Sequence, residues 1–357
     1  MTSFTSPSEY RRVLSRAVCA LAFVRRARVL VTVAMVSLTQ SAGAQTPIAA
    51  NCLQLPQTVF GQPPYDVCQK VVDIFAFMSP QIGVALAGGN PILGEGGTLG
   101  GWGKISGSLR LTAVDGTVPK NSLHSGPAGG PISSEFGATR VPVPLPAVDG
   151  ALGVFKGLTV GLTNVGGVDL LVGATYVPNI NKPPFSIRTV EHGYAFSYGV
   201  RIGVLQESAA VPGVSFSYKQ RKLPTAEFLY TPNTDTLTAN NVSVTSKSMR
   251  LVLAKHLGFV GFAAGIGRDD LRAKSDFRVV LNNQGASYLV TNFPAMEQKV
   301  TRNNAFGNLS FGLATAQLVL EYGFSSAGTI QKTINTFGSH QANEGYHYAS
   351  LGFGFRL

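Results

Sequence analysis

Nucleophilic catalysis needs a Ser, Cys or Thr side chain held by a base, and histidine is the side chain that most often serves as that base. The chain has five histidines, and most of them fall in predicted loops or at the ends of predicted strands. None lies in a local pattern that nominates a serine partner. They are His124, His192, His256, His340 and His347. The sequence therefore predicts no catalytic residues, and we expect the protein not to be an enzyme.

A second candidate for chemistry is the glycine cluster from Gly94 to Gly103. A phosphate-binding loop has a similar glycine content, but it continues into Lys-Ser/Thr and opens a helix. This cluster lacks the Lys-Ser/Thr pair and precedes a predicted strand. We interpret it as a turn, and we expect no cofactor.

The first 44 residues have the pattern of an export signal. Arg25, Arg26 and Arg28 precede an apolar stretch from Val29 to Leu38, and the small residues Ala42-Gly43-Ala44 follow. The apolar stretch is about half of the ~20 residues that a membrane-spanning helix needs. We therefore predict a signal peptide over residues 1–44.

Removing that segment leaves Cys52 and Cys68 as a pair in an exported protein, for which a disulfide is the default expectation. A metal site is the alternative, but no His or third Cys lies between or beside them. We predict no metal site. The cysteines flank the start of a predicted short helix from Tyr65 to Met78, within an N-terminal segment (residues 45–80) that lies in the periplasm or plugs a barrel.

Beyond Gln81 the apolar residues recur with a period of two, which is typical of strands. The clearest segment alternates Tyr194, Phe196, Tyr198, Val200, Ile202 and Val204 with small or polar residues and Arg201. Many such segments run for ~10 residues, the length that spans a bilayer, whereas strands of soluble sheets are usually ~5 to 6 residues long. Connections between them alternate short and long, from the tight Lys255–Gly258 to the long Asp269–Glu297. Both features indicate a barrel in a membrane.

From Gln81 to Leu357 the chain resembles bacterial outer-membrane β-barrels. Its end, Tyr348 to Leu357, is similar to the C-terminal strand that the barrel-assembly machinery recognises, with Phe353, Phe355 and Leu357 on one face. The resemblance implies an all-β fold, a transmembrane antiparallel up-and-down β-barrel over residues 81–357. It also implies location in the outer membrane, with its lipids and the assembly machinery as partners. We expect about 12 strands, with 10 and 14 as alternatives. The Ala113–Val154 region, which is rich in Pro and Gly, is expected to be a large external loop or a loop folded into the lumen, whereas the alternation of Leu158, Val160 and Leu162 predicts a strand.

The parity of the apolar face places the polar positions in the lumen, and charged rings in a pore select ions by sign. The candidate pore-lining residues are Arg110, Arg201, Lys219, Arg221, Arg250, Asp169 and Glu321. Their basic excess predicts passage of small solutes with a weak anion preference. In the structural alternative, the same charges pair with one another and fill the lumen.

Other functions remain open within the same fold. They are a plugged transporter for hydrophobic solutes, a structural or adhesive barrel that acts through its external loops, and a less favoured lipid-modifying enzyme. Removing six Arg and one Glu with residues 1–44 leaves 23 basic and 17 acidic residues, a net charge of +6. This mild excess contains no basic run or helix, so no nucleic-acid partner is expected.

Overall fold

The computed structural model describes Cys52 and residues 65–120, 133–231, 235–283, 286–290, 293, 295–313, 315–330 and 332–356. The predicted signal peptide, His124 and Leu357 lie outside these residues. One helix, α1, spans Tyr65–Ala87. The strands are β1 (Ile105–Pro119), β2 (Glu135–Phe136), β3 (Ala138–Phe155), β4 (Leu158–Val160), β5 (Thr163–Val165), β6 (Gly167–Tyr176), β7 (Ile180–Lys182), β8 (Phe185–Thr189), β9 (Tyr194–Leu205), β10 (Gly213–Lys222), β11 (Ala226–Tyr230), β12 (Thr236–Leu257), β13 (Val260–Asn283), β14 (Ala286–Val290), β15 (Met296–Leu313), β16 (Ala316–Ser325), β17 (Thr336–Phe337) and β18 (Tyr346–Arg356).

Ten strands of the described chain close into a ring. Its order is β1, β3, β6, β9, β10, β12, β13, β15, β16 and β18, and each strand is antiparallel to its neighbours. The ring closes where β1 meets β18, with Ser106 opposite Arg356. This confirms the predicted antiparallel barrel, with a strand number at the lower end of the expected range.

One wall strand lies where the sequence suggested a loop. β3 contains Pro142, Pro144 and Pro146, and proline is normally excluded from the interior of a sheet because it cannot donate a backbone hydrogen bond. These prolines pair with β1, whereas the pairing of β3 with β6 starts only at Ala147. The prolines therefore occupy the part of β3 whose second edge does not pair with β6.

The segment from Leu158 to Leu162, predicted as a wall strand, instead forms part of the β4–β5 hairpin in the turn between β3 and β6. Gly161 adopts a positive φ of 57° at the tip of this hairpin, a conformation that glycine tolerates. The three apolar side chains Leu158, Val160 and Leu162 are exposed. The period of two thus correctly predicts strand structure here, but the hairpin is not part of the barrel wall.

The two ends of the barrel differ in the length of their connections. Two-residue turns join β12 to β13 and β15 to β16 at one end. Long connections at the other end carry the short strands β2, β7, β8, β11, β14 and β17. Outer-membrane barrels have short turns on the periplasmic side and long loops outside, so the second end is extracellular.

The long connection expected over Asp269–Glu297 is mostly strand. β13 continues to Asn283 because its alternation persists beyond the apolar belt, with Leu271, Ala273 and Phe277 buried and Arg272 and Lys274 exposed. The hairpin of β13 and β15 therefore extends the barrel wall beyond the length that a bilayer requires.

The outer surface of the ring is apolar, as the lipid-facing side of a membrane barrel must be. Phe196, Ile266, Leu320 and Phe353 are all exposed on it. Trp102 lies exposed at the periplasmic end and Tyr176 at the outer end of β6, at the two levels where aromatic girdles occur. The chain is a barrel of the outer membrane.

The lumen contains α1 and the segment that follows it. The helix contacts β1, β3, β12, β13, β15 and β18, and most of its residues are buried. It continues beyond the predicted end at Met78, through Pro80, and stops at Ala87. Gly88 ends it with a φ of 60° and donates a backbone hydrogen bond to the Val84 carbonyl. Residues 81–104, expected to open the barrel, therefore precede its first strand.

The chain enters the lumen from the extracellular mouth. Cys52 and Cys68 form a disulfide and pack with Phe277, Val279 and Leu281, which lie on the part of β13 beyond the apolar belt. From there α1 and residues 88–104 lead to the periplasmic rim, where β1 begins. We call residues 65–101 the plug.

The disulfide is expected to hold the upper end of the plug at the mouth. It closes a loop with a sequence separation of 16 residues, for which the chain-entropy estimate is about 3 kcal/mol. In Cys52→Ala/Cys68→Ala, limited proteolysis of the folded barrel should cut near Tyr65 faster than in the oxidised protein. Equal cleavage rates in the variant, the reduced protein and the oxidised protein would contradict this role.

Candidate functional site

All seven charged residues predicted to line a pore face the lumen and are buried. Arg110 on β1, Arg201 on β9 and Arg250 on β12 are each no more than 4% exposed. Lys219, Arg221, Asp169 and Glu321 are buried as well. The period of two placed each of them on the correct side of the wall, and the fold brings them into two connected groups with carboxylates and with the plug.

The first group centres on Asp149 of β3. Lys219 Nζ lies 2.7 Å from Asp149 Oδ1, and the Arg221 guanidinium donates to both carboxylate oxygens at 2.7 and 3.0 Å. Arg110 Nε lies 3.3 Å from Asp149 Oδ2. One buried carboxylate is therefore shared by three buried basic side chains.

The sequence reasoning missed Asp149 because it interpreted the proline-rich region as a loop. The available signal was parity, since Asp149 lies between Val148 and Gly150 in the same inward phase as Ala151. It also missed Asp269 by placing it at the start of a loop. Asp269 Oδ1 lies 2.7 Å from Arg250 Nη2 inside the lumen.

A second group joins Arg201 to the lower plug. Its guanidinium Nε donates to Asp169 Oδ2 at 2.9 Å, and Nη2 lies 3.1 Å from Oε2 of the plug residue Glu95. The backbone N–H of Leu99 donates to the Asp169 carboxylate at 3.1 and 3.2 Å. Arg201 and Asp169 therefore hold the plug as well as each other.

The turn after α1 is held through its backbone. Glu321 accepts hydrogen bonds from the N–H groups of Gly89 at 3.2 Å and Asn90 at 2.7 Å. Arg250 donates to the carbonyl oxygens of Gly89 at 3.0 Å and Gly88 at 2.8 Å, and Arg110 donates to the Asn90 carbonyl. Charge-assisted hydrogen bonds of this kind are stronger than neutral ones.

This close approach requires glycine in the turn. A Cβ atom on Gly89 would lie 2.6 Å from Glu321 Oε2. Gly88 has the positive φ that ends the helix, and a side chain there would meet Arg110. The carboxylate and the two guanidinium groups therefore bind the backbone of the plug at this turn rather than its side chains.

At the mouth the contacts are apolar. Phe77 of α1 stacks on Phe337 with ring centroids 4.4 Å apart, and Phe136 stacks on the other side at 5.3 Å. Next to this cluster Asp73 accepts hydrogen bonds from the backbone and side chain of Asn335 at 2.9 and 2.8 Å. Burial raises the pKa of the Asp73 carboxyl, and these hydrogen bonds act against that increase.

Of the residues predicted for the C-terminal assembly signal, the two that the structure describes lie at the periplasmic end of the wall. Phe353 and Phe355 of β18 are exposed on the lipid face, and β18 pairs with both β1 and β16. The last ring strand therefore completes the barrel next to the first.

No family model and no curated protein matches the chain. Solved structures of outer-membrane proteins do. The translocator domain of the autotransporter NalP from Neisseria meningitidis matches with 12% identity, covering 71% of this chain and 88% of that one, with a TM-score of 0.32. OmpT, an outer membrane protein of Vibrio cholerae, matches with 10% identity over 71% and 96%, with a TM-score of 0.19. An outer membrane channel from Pseudomonas putida F1 matches with 9% identity over 72% and 96%, with a TM-score of 0.29.

The absence of a local catalytic pattern does not exclude an enzyme, so the expectation that the protein is not an enzyme is withdrawn. The histidines also have partners that local spacing did not reveal. His256 Nδ1 lies 2.8 Å from Glu207 Oε2 at the periplasmic end, and His340 Nδ1 lies 2.8 Å from Glu344 Oε2 at the extracellular end. A local motif search does not detect the first pair, because its members are 49 positions apart in sequence.

Proposed function

We propose that this protein is an outer-membrane passage for small polar solutes whose lumen is closed by the plug, residues 65–101, and opens when the plug moves. The observation that carries the proposal is that wall charges hold the plug backbone, chiefly through Glu321 and Arg250. Hydrogen bonds to backbone groups can be exchanged for hydrogen bonds to water when the turn from Gly88 to Asn90 is released.

The chemistry of the wall favours a polar solute over a hydrophobic one. The lumen side of the ring strands buries charged groups and hydroxyls, whereas the aromatic side chains of β9 and β16 face lipid. The hydroxyls of Ser108, Ser197 and Ser217 are buried without a hydrogen-bond partner within the described part of the chain. Such groups suit water or a hydrated solute more than a hydrocarbon.

The charge of the wall supports a weak anion preference in the opened state. The ring strands bury six basic and four acidic side chains among the described residues, a net charge of +2. The plug brings Glu95 into contact with Arg201, so that its displacement would free positive charge. Rings of basic side chains favour anions.

The proposal assigns residues 1–44 to an export signal and the residues before β1 to the plug and its tether. It takes the final strand, with Phe353, Phe355 and Leu357, as the element that the barrel-assembly machinery engages. Conditional opening distinguishes this function from that of a purely structural or adhesive barrel, which requires no movement of the plug.

Glu321→Gln should raise the open fraction of the mature protein in planar-bilayer recordings by about tenfold, since a loss of 1–2 kcal/mol in plug binding follows when a charged acceptor becomes neutral. Reversal potentials in a salt gradient should show anion preference in the open events. Glu191→Gln, which removes an exposed carboxylate, is the matched control and should behave as wild type. If folded Glu321→Gln protein opens no more often than wild type, the proposed gating is wrong.

A further inference from the structure

The outward faces of β12, β13 and β15 change from apolar to basic at the extracellular limit of the apolar belt. On β13, Phe262 and Ile266 are followed in the same outward phase by Arg268. On β12, Met249 is followed toward the mouth by Lys247, also exposed. The two changes are offset by one outward position, because Met249 pairs with Arg268 and Lys247 pairs with Asp270 across the two strands.

Above this level three further cations surround one carboxylate. Arg272 Nε lies 2.8 Å from Glu297 Oε1, Lys299 Nζ lies 3.2 Å from the same oxygen, and Lys274 Nζ lies 3.3 Å from Oε2. Hydrogen bonds from Arg272 and from the two lysines lower the pKa of the Glu297 carboxyl to about 2, so it stays charged at neutral pH. One negative charge thus faces three positive charges.

The strand register adds to the repulsion within this cluster, in which three cations and one carboxylate leave a net charge of +2. Arg272 and Lys299 lie directly opposite each other on β13 and β15, and like charges in that position destabilise a sheet. Their side chains are 51% and 71% exposed, so both retain N–H groups that face outward. Lower down, Asp270 lies 3.6 Å from Arg268 Nε and directly opposite Lys247, so one carboxylate faces two cations there.

We propose that this basic patch, defined as Lys247, Arg268, Arg272, Lys274 and Lys299, binds the phosphate groups of lipopolysaccharide in the outer leaflet. Lys247 and Arg268 form a lower tier at the edge of the apolar belt, where lipid A phosphates lie. The other three form an upper tier that begins at Arg272, about 13 Å beyond Arg268 along β13. A glycolipid with phosphates on both lipid A and its core sugars reaches both tiers, whereas a phospholipid carries phosphate only at the lower one.

The test uses the full mature protein, folded in zwitterionic detergent, and measures its affinity for purified lipopolysaccharide with a phosphorylated inner core. Arg272→Gln/Lys274→Gln/Lys299→Gln should weaken this affinity by about tenfold or more, as expected for lost charge-assisted contacts. The matched control is Arg140→Gln, an exposed cation on β3 at the opposite side of the ring. It should bind within about twofold of wild type, because a single exposed charge that already pairs with Asp115 contributes little.

Three probes separate the sources of phosphate. Wild type should prefer phosphorylated lipopolysaccharide over the same molecule with dephosphorylated core sugars, and the upper-tier variant should lose that preference. Lys247→Gln/Arg268→Gln should instead weaken binding of both forms, which provides a second test if the triple variant does not fold. Equal affinity of wild type for dephosphorylated lipopolysaccharide, phosphatidylglycerol vesicles or inorganic phosphate would overturn the proposal, as would unchanged binding by the upper-tier variant.

Discussion

Asp149→Asn is expected to lower the free energy of unfolding of the barrel by about 3–5 kcal/mol, the cost of leaving a buried ion pair without one partner. The side chain of Asp149 is fully buried, and the salt bridges of both Lys219 and Arg221 are made to it. Asparagine has nearly the same volume, so the loss is electrostatic rather than a cavity. Urea unfolding in detergent, followed by tryptophan fluorescence and by the heat-dependent mobility of folded barrels on gels, measures it.

The matched control is Asp115→Asn on β1. Asp115 also pairs with an arginine, Arg140, but both side chains are exposed, and such pairs contribute about 0–1 kcal/mol. A second variant, Asp149→Asn/Lys219→Met, removes one of the stranded cations and should recover part of the lost stability. If Asp149→Asn and Asp115→Asn unfold at the same urea concentration, the lumen is hydrated enough to screen its charges, and Asp149 does not organise them.

The same residues show which features of the structure the sequence predicts and which it does not. The inward phase of Arg201 and Arg250 followed from counting alternate positions, because a wall one residue thick with lipid outside and polar lumen inside forces a period of two. The alternation of positions does not predict which side chain pairs with each charge. Asp149 and Arg221 are neighbours only because β3, β6, β9 and β10 stand side by side in the ring.

The plug shows a different limit. Helical spacing predicted the start of α1 at Tyr65, but its end depends on burial in the lumen, where Pro80 is accommodated and Gly88 finds its capping geometry. The segment from Gly89 to Leu99 has no periodic pattern, since its backbone is held by wall side chains rather than by its own neighbours. The sequence therefore predicts a turn, whereas the contacts with the wall place the segment inside the lumen.

A covalent link between plug and wall should close the passage completely. A Cβ atom on Gly203 of β9 would lie 3.5 Å from Cβ of the plug residue Thr98, at the lower limit of the Cβ–Cβ distance in disulfides. Gly203 does not have a positive φ, so cysteine fits its backbone. In the Glu321→Gln background, the oxidised Thr98→Cys/Gly203→Cys protein should lose the added openings, and a reductant should restore them.

The native disulfide does not confound this experiment, because Cys52 and Cys68 pack at the extracellular mouth and Thr98 lies at the periplasmic end of the lumen. Glu321→Gln alone, treated with the same reductant, shows what opening the native bond contributes. Each single cysteine variant controls for the side-chain change. Oxidised protein that conducts as often as Glu321→Gln would mean that solute passes beside a stationary lower plug. Closure on oxidation and recovery on reduction would instead place the moving part between Gly88 and Leu99, where Glu321, Arg250 and Asp169 hold the backbone.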